Sequence, residues 1–86
     1  MASYSIEWKS SAAKELRKLP KSIIARILPA IEALCDDPRP AGVVKITDSV
    51  NTYRIRVGEY RVVYNIFDRH LVIEVLRVQD RKDVYK

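Results

Sequence analysis

The 86-residue sequence is poor in cysteine, histidine and glycine, with one, one and two of each. A single cysteine cannot form an internal disulfide, and one cysteine with one histidine are too few ligands for a zinc site built from this chain alone. No stretch approaches the roughly 18 uninterrupted apolar residues of a membrane helix, and the first residues lack the apolar segment of a secretory signal. We therefore expect a protein of the reducing cytoplasm.

The remaining composition fits one folded domain over residues 1–86. Hydrophobic residues make up 48% of the chain and charged residues 31%, which is typical of neither a disordered nor a membrane-embedded protein. The sequence contains no glycine-rich phosphate loop, no metal-ligand pair and no Ser/His/Asp arrangement. No metal or nucleotide cofactor is therefore predicted.

Positive charge is the more informative part of the composition. Sixteen basic and eleven acidic residues give a net charge of +5, which favours an anionic partner such as nucleic acid or an acidic protein. Six of the nine arginines follow residue 51, whereas five of the seven lysines precede it. Because arginine binds phosphate through a planar two-pronged donor and lysine acts as a point charge, we expect the last third of the chain to carry the function.

The spacing of apolar residues predicts a strand, two helices and three further strands. Residues 4–8 alternate as in a strand, and Ser10 or Ser11 can cap a short helix with Ala13 on its inner face. Pro20 suits the first position of a second helix, which carries an apolar stripe. The later strand patterns cover residues 52–57, 60–66 and 71–78. This order predicts an α+β domain whose helices pack on one face of a mainly antiparallel sheet that ends in a three-stranded meander.

The hairpin between residues 52 and 66 fixes which side chains share a face. Gly58-Glu59 suits a two-residue type II′ turn, so Arg56 is expected opposite Arg61. The residues expected to be buried against the second helix, at residues 24–34, are Tyr53, Ile55, Val62, Tyr64 and Ile73. The arginines expected on the opposite face are Arg54, Arg56 and Arg61.

Two arginines directly opposite each other destabilise a sheet, which favours an anionic ligand at this place. Three guanidinium groups on a rigid sheet form a phosphate-binding surface suited to a scissile phosphodiester. The alternative is a solvated polar face on which Glu74 pairs with Arg54 or Arg56.

The chain after the hairpin combines a turn, a last strand and a polar C-terminal stretch. Asp68-Arg69 is a predicted two-residue turn into the last strand. Residues 77–86 are too polar for a core strand. Arg81 and Tyr85 either reach the arginine face, where a tyrosine can stack on a base, or belong to a frayed terminus.

The string YRIRVGEYRVVY at residues 53–64, with VLRV at 75–78 and RKDVY at 81–85, resembles the RelE branch of the RelE/ParE toxin superfamily. The resemblance spans nearly the whole chain. Members are small toxins with a RelE-like, microbial-RNase-like fold that enter the ribosomal A site and cleave mRNA without a metal, and a cognate antitoxin neutralises them. The resemblance implies a cytoplasmic toxin of a toxin–antitoxin system whose partners are mRNA, the ribosome and an antitoxin. For the antitoxin we expect an acidic, partly disordered segment that folds on binding.

Carried over position by position, the resemblance implies catalytic roles for Arg54, Arg56, Arg61, Arg81 and Tyr85. It implies that Arg61 stabilises the phosphate in the transition state. Arg54 and Arg56 match the basic pair of the first hairpin strand. Lys45 and Lys82 are further candidates for RNA binding, beside Arg54 and Arg56.

Two departures from the family pattern concern the general base. Relatives often carry lysine at positions 54 and 56, and Gly-His where this chain has Gln79-Asp80. Arginine stays protonated and cannot serve as an ordinary base, so Asp80, Lys82 and Tyr85 are the candidate substitutes. The alternative function is a ParE-like toxin that inhibits DNA gyrase by binding alone.

Overall fold

The computed structural model describes residues 3–80, and that range folds into two helices and five strands. In chain order the elements are β1 (Ser5–Trp8), α1 (Ser10–Arg17), α2 (Lys21–Ala33), β2 (Val44–Lys45), β3 (Thr52–Val57), β4 (Tyr60–Phe67) and β5 (Val72–Asp80). The strands lie in the order β1-β5-β4-β3-β2, and β1 runs parallel to β5 while the other neighbours are antiparallel. The predicted α+β architecture is confirmed. The two-residue β2 extends it, because part of the predicted connection pairs with β3.

Both helices cover the same face of the sheet, where one apolar cluster forms the core. Its buried members are Ala12, Ile27, Ile31, Leu34, Ile55, Val62, Tyr64, Ile66, Ile73, Val75 and Val78. Tyr53 packs against this cluster and is partly buried. The predicted burial is therefore confirmed for Ile55, Val62, Tyr64 and Ile73, and burial of such apolar side chains is the main source of stability.

The helix starts differ from the predicted ones in detail. Lys9, and neither serine, precedes the first turn of α1, because its N–H still donates to the Val75 carbonyl at 3.0 Å and holds it on the sheet. Ala12 is buried, whereas the predicted Ala13 is only partly buried. Pro20 precedes the first residue of α2, and its carbonyl accepts from the N–H groups of the first turn.

The predicted hairpin register is confirmed. Arg56 pairs with Arg61, and Val57 pairs with Tyr60 at the turn. Gly58 has a φ of 60° and Glu59 does not share the positive sign, as a type II′ turn requires. A Cβ atom at Gly58 would also lie 3.1 Å from Nη2 of Arg26, so a larger residue there would require that flexible side chain to shift.

The last strand differs most from the sequence prediction. Four residues, 68–71, connect β4 to β5 in place of the predicted two, and Leu71 adopts a φ of 54°. The predicted strand ends at residue 78, inside a stretch that looks too polar for a core strand, but β5 continues through Asp80. The reason is a register shift: Val63 pairs with Arg77 and Tyr64 with Val75, so Leu76 is an extra residue and Val78 returns to the core.

Candidate functional site

The open face of the sheet carries the arginines at the end nearest the Gly58 turn. Arg56, Arg61 and Gln79 lie side by side on three neighbouring strands, and we call them the cross-strand row. Arg54 lies two residues from Arg56 on the same face. We call Arg54, Arg56 and Arg61 the arginine face. The structure thus brings together three of the five predicted catalytic residues.

No carboxylate neutralises the arginine face within residues 3–80. The two salt bridges in that range join Arg39 to Asp68 and Arg77 to Glu15. Nε of Arg56 donates to the Gly58 carbonyl at 3.0 Å, which orients the guanidinium and leaves both terminal nitrogens available. Three aligned cationic donors on a rigid sheet suit an anion with several oxygens.

Glu74 does not play the neutralising role that the alternative reading gave it. Its carboxylate accepts from Nδ2 of Asn65 at 3.2 Å, and Oδ1 of Asn65 accepts from the Thr52 hydroxyl at 2.6 Å. These side chains form a polar row further along the open face. Glu74 is therefore bound to Asn65 and does not pair with Arg54 or Arg56.

The remaining predicted site residues are not on the open face or are not described. Lys45 pairs with Tyr53 and Asp80 pairs with Tyr60, so strand register assigns both to the helix-covered face. The roles predicted for Arg81, Lys82 and Tyr85 fall outside the described residues.

Glu15 is a contact that sequence reasoning missed. Its Oε1 accepts the Val78 N–H at 2.9 Å, and its Oε2 accepts from Nε of Arg77 at 3.2 Å. Strand β1 ends at Trp8, opposite Val75, so within residues 3–80 the edge of β5 beyond that point has no strand beside it. Glu15 on α1 supplies the acceptor that a neighbouring strand would otherwise provide. A polar residue on an amphipathic helix carries no sequence signal for such a contact.

The opposite end of the sheet holds a closed set of polar contacts, which we call the Arg39 cluster: Tyr4, Arg39, Tyr53 and Asp68. Arg39 binds both oxygens of Asp68, at 2.9 and 3.4 Å, and its Nε donates to the Tyr53 hydroxyl at 3.2 Å. The Tyr4 hydroxyl donates to Asp68 at 2.6 Å. The hydrogen bonds from Arg39 and then Tyr4 hold the pKa of Asp68 below its usual value. Every charge in this cluster already has a partner.

The range 3–80 contains no group of three or more His, Cys, Asp and Glu side chains placed to hold a metal ion. Neither of its helices combines the length and apolar character needed to cross a membrane.

Comparison with known proteins matches both the fold and the sequence. The RelE–RelB complex from Pyrococcus horikoshii contains a chain of similar fold, with a TM-score of 0.82 and 30% identity over 92% of this chain and 96% of that one. The toxin–antitoxin complex RelBE2 from Mycobacterium tuberculosis gives 0.81 and 30% over 94% of each chain. Toxin RelG from Mycobacterium tuberculosis is 32% identical over 96% of this chain and 97% of its own length. The fold is that of RelE-type toxins.

The sequence also matches, over residues 6–85, the family described as the ParE toxin of the type II toxin–antitoxin system parDE. The chain therefore belongs to this family of type II toxins, on its RelE branch.

Proposed function

We propose that this toxin is a ribosome-dependent, metal-independent endoribonuclease that cleaves mRNA in the cytoplasm. In the proposed reaction the ribose 2′-oxygen bonds to the adjacent phosphorus while the bond from phosphorus to the 5′-oxygen breaks. A base takes the proton of the 2′-hydroxyl, and the departing 5′-oxygen takes up a proton. The products are a 2′,3′-cyclic phosphate and a 5′-hydroxyl.

One observation carries the proposal: Arg56 and Arg61 face each other across the hairpin with no carboxylate bound to either in residues 3–80. Opposed like charges destabilise a sheet, so a fold that keeps them gains from an anion bound between them. A phosphodiester gains negative charge on its nonbridging oxygens as the 2′-oxygen attacks. Fixed cationic donors therefore stabilise the transition state more than the ground state.

The proposed roles follow from this arrangement together with the family resemblance. Arg61 binds the scissile phosphate, and Arg54 and Arg56 hold the flanking RNA backbone. Arg81 is proposed to donate to the leaving oxygen. Tyr85 is proposed to stack on a nucleobase of the RNA. Lys45 is not included among the proposed RNA contacts, because strand register assigns it to the other face of the sheet.

The general base must accept the proton of the 2′-hydroxyl, and an arginine guanidinium, which stays protonated in proteins, does not suit that role. Asp80 lies opposite Tyr60 on the helix-covered face. Lys82 and Tyr85 are therefore the proposed candidates.

A cognate antitoxin is the proposed protein partner. The similar chains from Pyrococcus horikoshii and Mycobacterium tuberculosis come from RelE–RelB and RelBE2 toxin–antitoxin complexes. For this toxin we propose an acidic segment that folds on binding and covers the arginine face or displaces the C-terminal residues. Part of the affinity should then weaken with added salt. An antitoxin that leaves both surfaces untouched would contradict this part of the proposal.

The family description itself favours a second candidate, because it names ParE toxins. In that case the protein would inhibit DNA gyrase by binding and would leave RNA intact. The RelE names of the similar proteins favour the nuclease.

One pair of assays distinguishes the two. The toxin is added to a reconstituted translation reaction, and the mRNA ends are mapped; a gyrase supercoiling assay runs in parallel. Cleavage within ribosome-bound mRNA, with 5′-hydroxyl and cyclic phosphate ends, is expected. Intact mRNA together with blocked supercoiling would replace the nuclease by the gyrase inhibitor.

Metal independence is tested on the same reaction with a phosphorothioate at the scissile position. Sulfur binds softer ions such as Mn²⁺ better than it binds Mg²⁺. A catalytic metal at this phosphate would therefore show as a rate that Mn²⁺ restores. We expect slow cleavage that Mn²⁺ does not restore. Rescue would assign a metal to the reaction.

A further inference from the structure

The last residues of β5 are aimed at the open face by a feature that the proposed function does not use. Strict alternation from Val75 would turn Arg77 and Gln79 towards the helices and Val78 away from them. The extra residue at Leu76 reverses this, so Val78 is buried and Gln79 lies opposite Arg61. Bulges commonly redirect side chains beside active sites. The bulge therefore completes the cross-strand row.

Glu15 holds this segment where β1 no longer covers it. The bond from the Val78 N–H to Oε1 is 2.9 Å long, and it lies one residue before Gln79. The Glu15 side chain is 28% exposed, so this bond is partly shielded from water. An unpaired N–H at this edge would leave the end of β5 free to fray.

The chemistry of an amide suits the place beside Arg61. Directly opposed residues have Cβ atoms about 5 Å apart, so the Gln79 amide and the Arg61 guanidinium can contact one phosphate together. An amide offers two N–H donors without charge. It therefore adds donors to the row without adding to the repulsion between Arg56 and Arg61.

We propose that Gln79 is a substrate-binding residue that donates to a nonbridging oxygen of the scissile phosphate, and that Glu15 is the positioning residue that holds it there. This inference rests on the proposed nuclease function. A neutral amide cannot take the 2′ proton, so Gln79 is distinct from the base.

The test of Gln79 uses single-turnover cleavage of ribosome-bound mRNA by Gln79→Met, which keeps the length of the side chain and removes its donors. Loss of a hydrogen bond to a charged group corresponds to a rate about ten- to a hundredfold lower. Gln79→Glu should fall further, because it adds a negative charge beside the phosphate. Asn51→Ala removes an exposed amide that lies outside the cross-strand row and the arginine face, and it should keep the wild-type rate.

The outcomes separate this inference from the function on which it rests. Absence of cleavage by the wild-type toxin would remove the proposed function. Cleavage by the wild type, with an unchanged rate in Gln79→Met, would overturn the role of Gln79 alone.

The test of Glu15 is a double-mutant cycle. Glu15→Ala should lower the rate by about the same factor as Gln79→Met, and the double variant should lose little more, because both act on one contact. Glu15→Gln keeps an acceptor for the Val78 N–H and should restore most of the rate. Independent, additive losses would overturn the positioning role.

Arg77→Ala is the matched control for the salt bridge, since it leaves the Val78 bond in place and should cleave at the wild-type rate. A loss as large as that of Glu15→Ala would assign the effect to the ion pair. If Glu15→Ala does not fold, the cycle is run with Glu15→Met, which keeps the length of the side chain and removes its acceptors for the Val78 N–H.

Discussion

At one end of the sheet Arg39 is bound by a carboxylate and a tyrosine hydroxyl, and its guanidinium carbon lies 5.1 Å from the centre of the Tyr53 ring. At the other end Arg56 and Arg61 face each other, and no carboxylate within residues 3–80 binds either. Arginine therefore serves two purposes at the two ends of one small sheet. An arginine that the fold has already paired holds segments of chain together, whereas one that the fold has oriented and left unpaired is available to a ligand.

Neither group is expected to dominate stability. The Arg39–Asp68 pair is roughly half exposed on both sides, and such pairs contribute about 0–1 kcal/mol. The two ends of the sheet should therefore differ in which measured property a substitution changes. Substitutions near the Gly58 turn should change RNA binding and cleavage, and substitutions at the far end should change the free energy of unfolding.

The largest effect is expected for Arg61→Ala. Loss of one preorganised donor to a transition-state oxyanion costs about 3–4 kcal/mol, or a hundred- to a thousandfold in single-turnover rate. The melting temperature should stay the same or rise slightly, because an opposed like-charge pair disappears. Arg69→Ala, which removes an exposed arginine from a turn, is the control and should keep the rate. Full activity in a folded Arg61→Ala toxin would remove Arg61 from the mechanism.

The second largest effect is expected for Tyr64→Phe, on the free energy of unfolding. Tyr64 is fully buried, stacks on Tyr53 with ring centres 6.3 Å apart and donates to the Pro38 carbonyl at 2.8 Å. Losing only the hydroxyl should lower the free energy of unfolding by about 1–2 kcal/mol, because the carbonyl loses its donor. Urea unfolding measures this directly. The cleavage rate of the folded variant should not change, and a large loss of rate would show that the two ends of the sheet are coupled.

A smaller effect is expected for Arg54→Ala on RNA binding. Removing one phosphate contact to a single strand should reduce the slope of log affinity against log salt by about 0.7. Fluorescence anisotropy with an uncleavable RNA, across a range of salt concentrations, gives the slope. An unchanged slope would mean that Arg54 does not contact a phosphate.

The smallest effect is expected for Asp68→Asn, and it depends on pH. Because the folded state lowers the pKa of Asp68, its contribution to stability is present above the ordinary value of 3.8 and is lost as the pH falls through the lower folded value. The free energy of unfolding, measured by urea denaturation, should be higher for the wild type than for Asp68→Asn by no more than about 1 kcal/mol at neutral pH. The gap should close in acid below that ordinary value. A gap that is constant from neutral pH into strong acid would show that ionisation of Asp68 contributes nothing.

The residues near the Gly58 turn were the most predictable part of the molecule. Once Gly58-Glu59 is taken as the loop, one count gives every pair, and the opposition of Arg56 and Arg61 follows. The pairing of β1 with β5 joins residues nearly 70 positions apart, and no local pattern specifies it. The contact from Glu15 depends on that pairing and could not be predicted either.

The position of Gln79 had a weaker signal that the sequence reading missed. Buried residues on a regular strand are two apart, but the apolar residues here change from the odd positions Ile73 and Val75 to the even positions Leu76 and Val78. This spacing indicates a bulge between them. The signal is weak because residues 77–86 are mostly polar, and the acidic and basic residues in that stretch outnumber the single buried valine.

The extra residue at Leu76 also determines how β5 should respond to changes in chain length. Before it the buried positions are odd-numbered, at Ile73 and Val75; after it they are even, at Val78. Deleting Leu76 would leave the pairs Tyr64–Val75 and Val63–Arg77 consecutive, so the strand could become regular with every other partner kept. Deleting a residue nearer the turn would instead shift each partner between the deletion and the bulge. A scan of single-codon deletions along β5 should therefore show tolerated positions grouped at Leu76 and its two neighbours, in an otherwise intolerant strand.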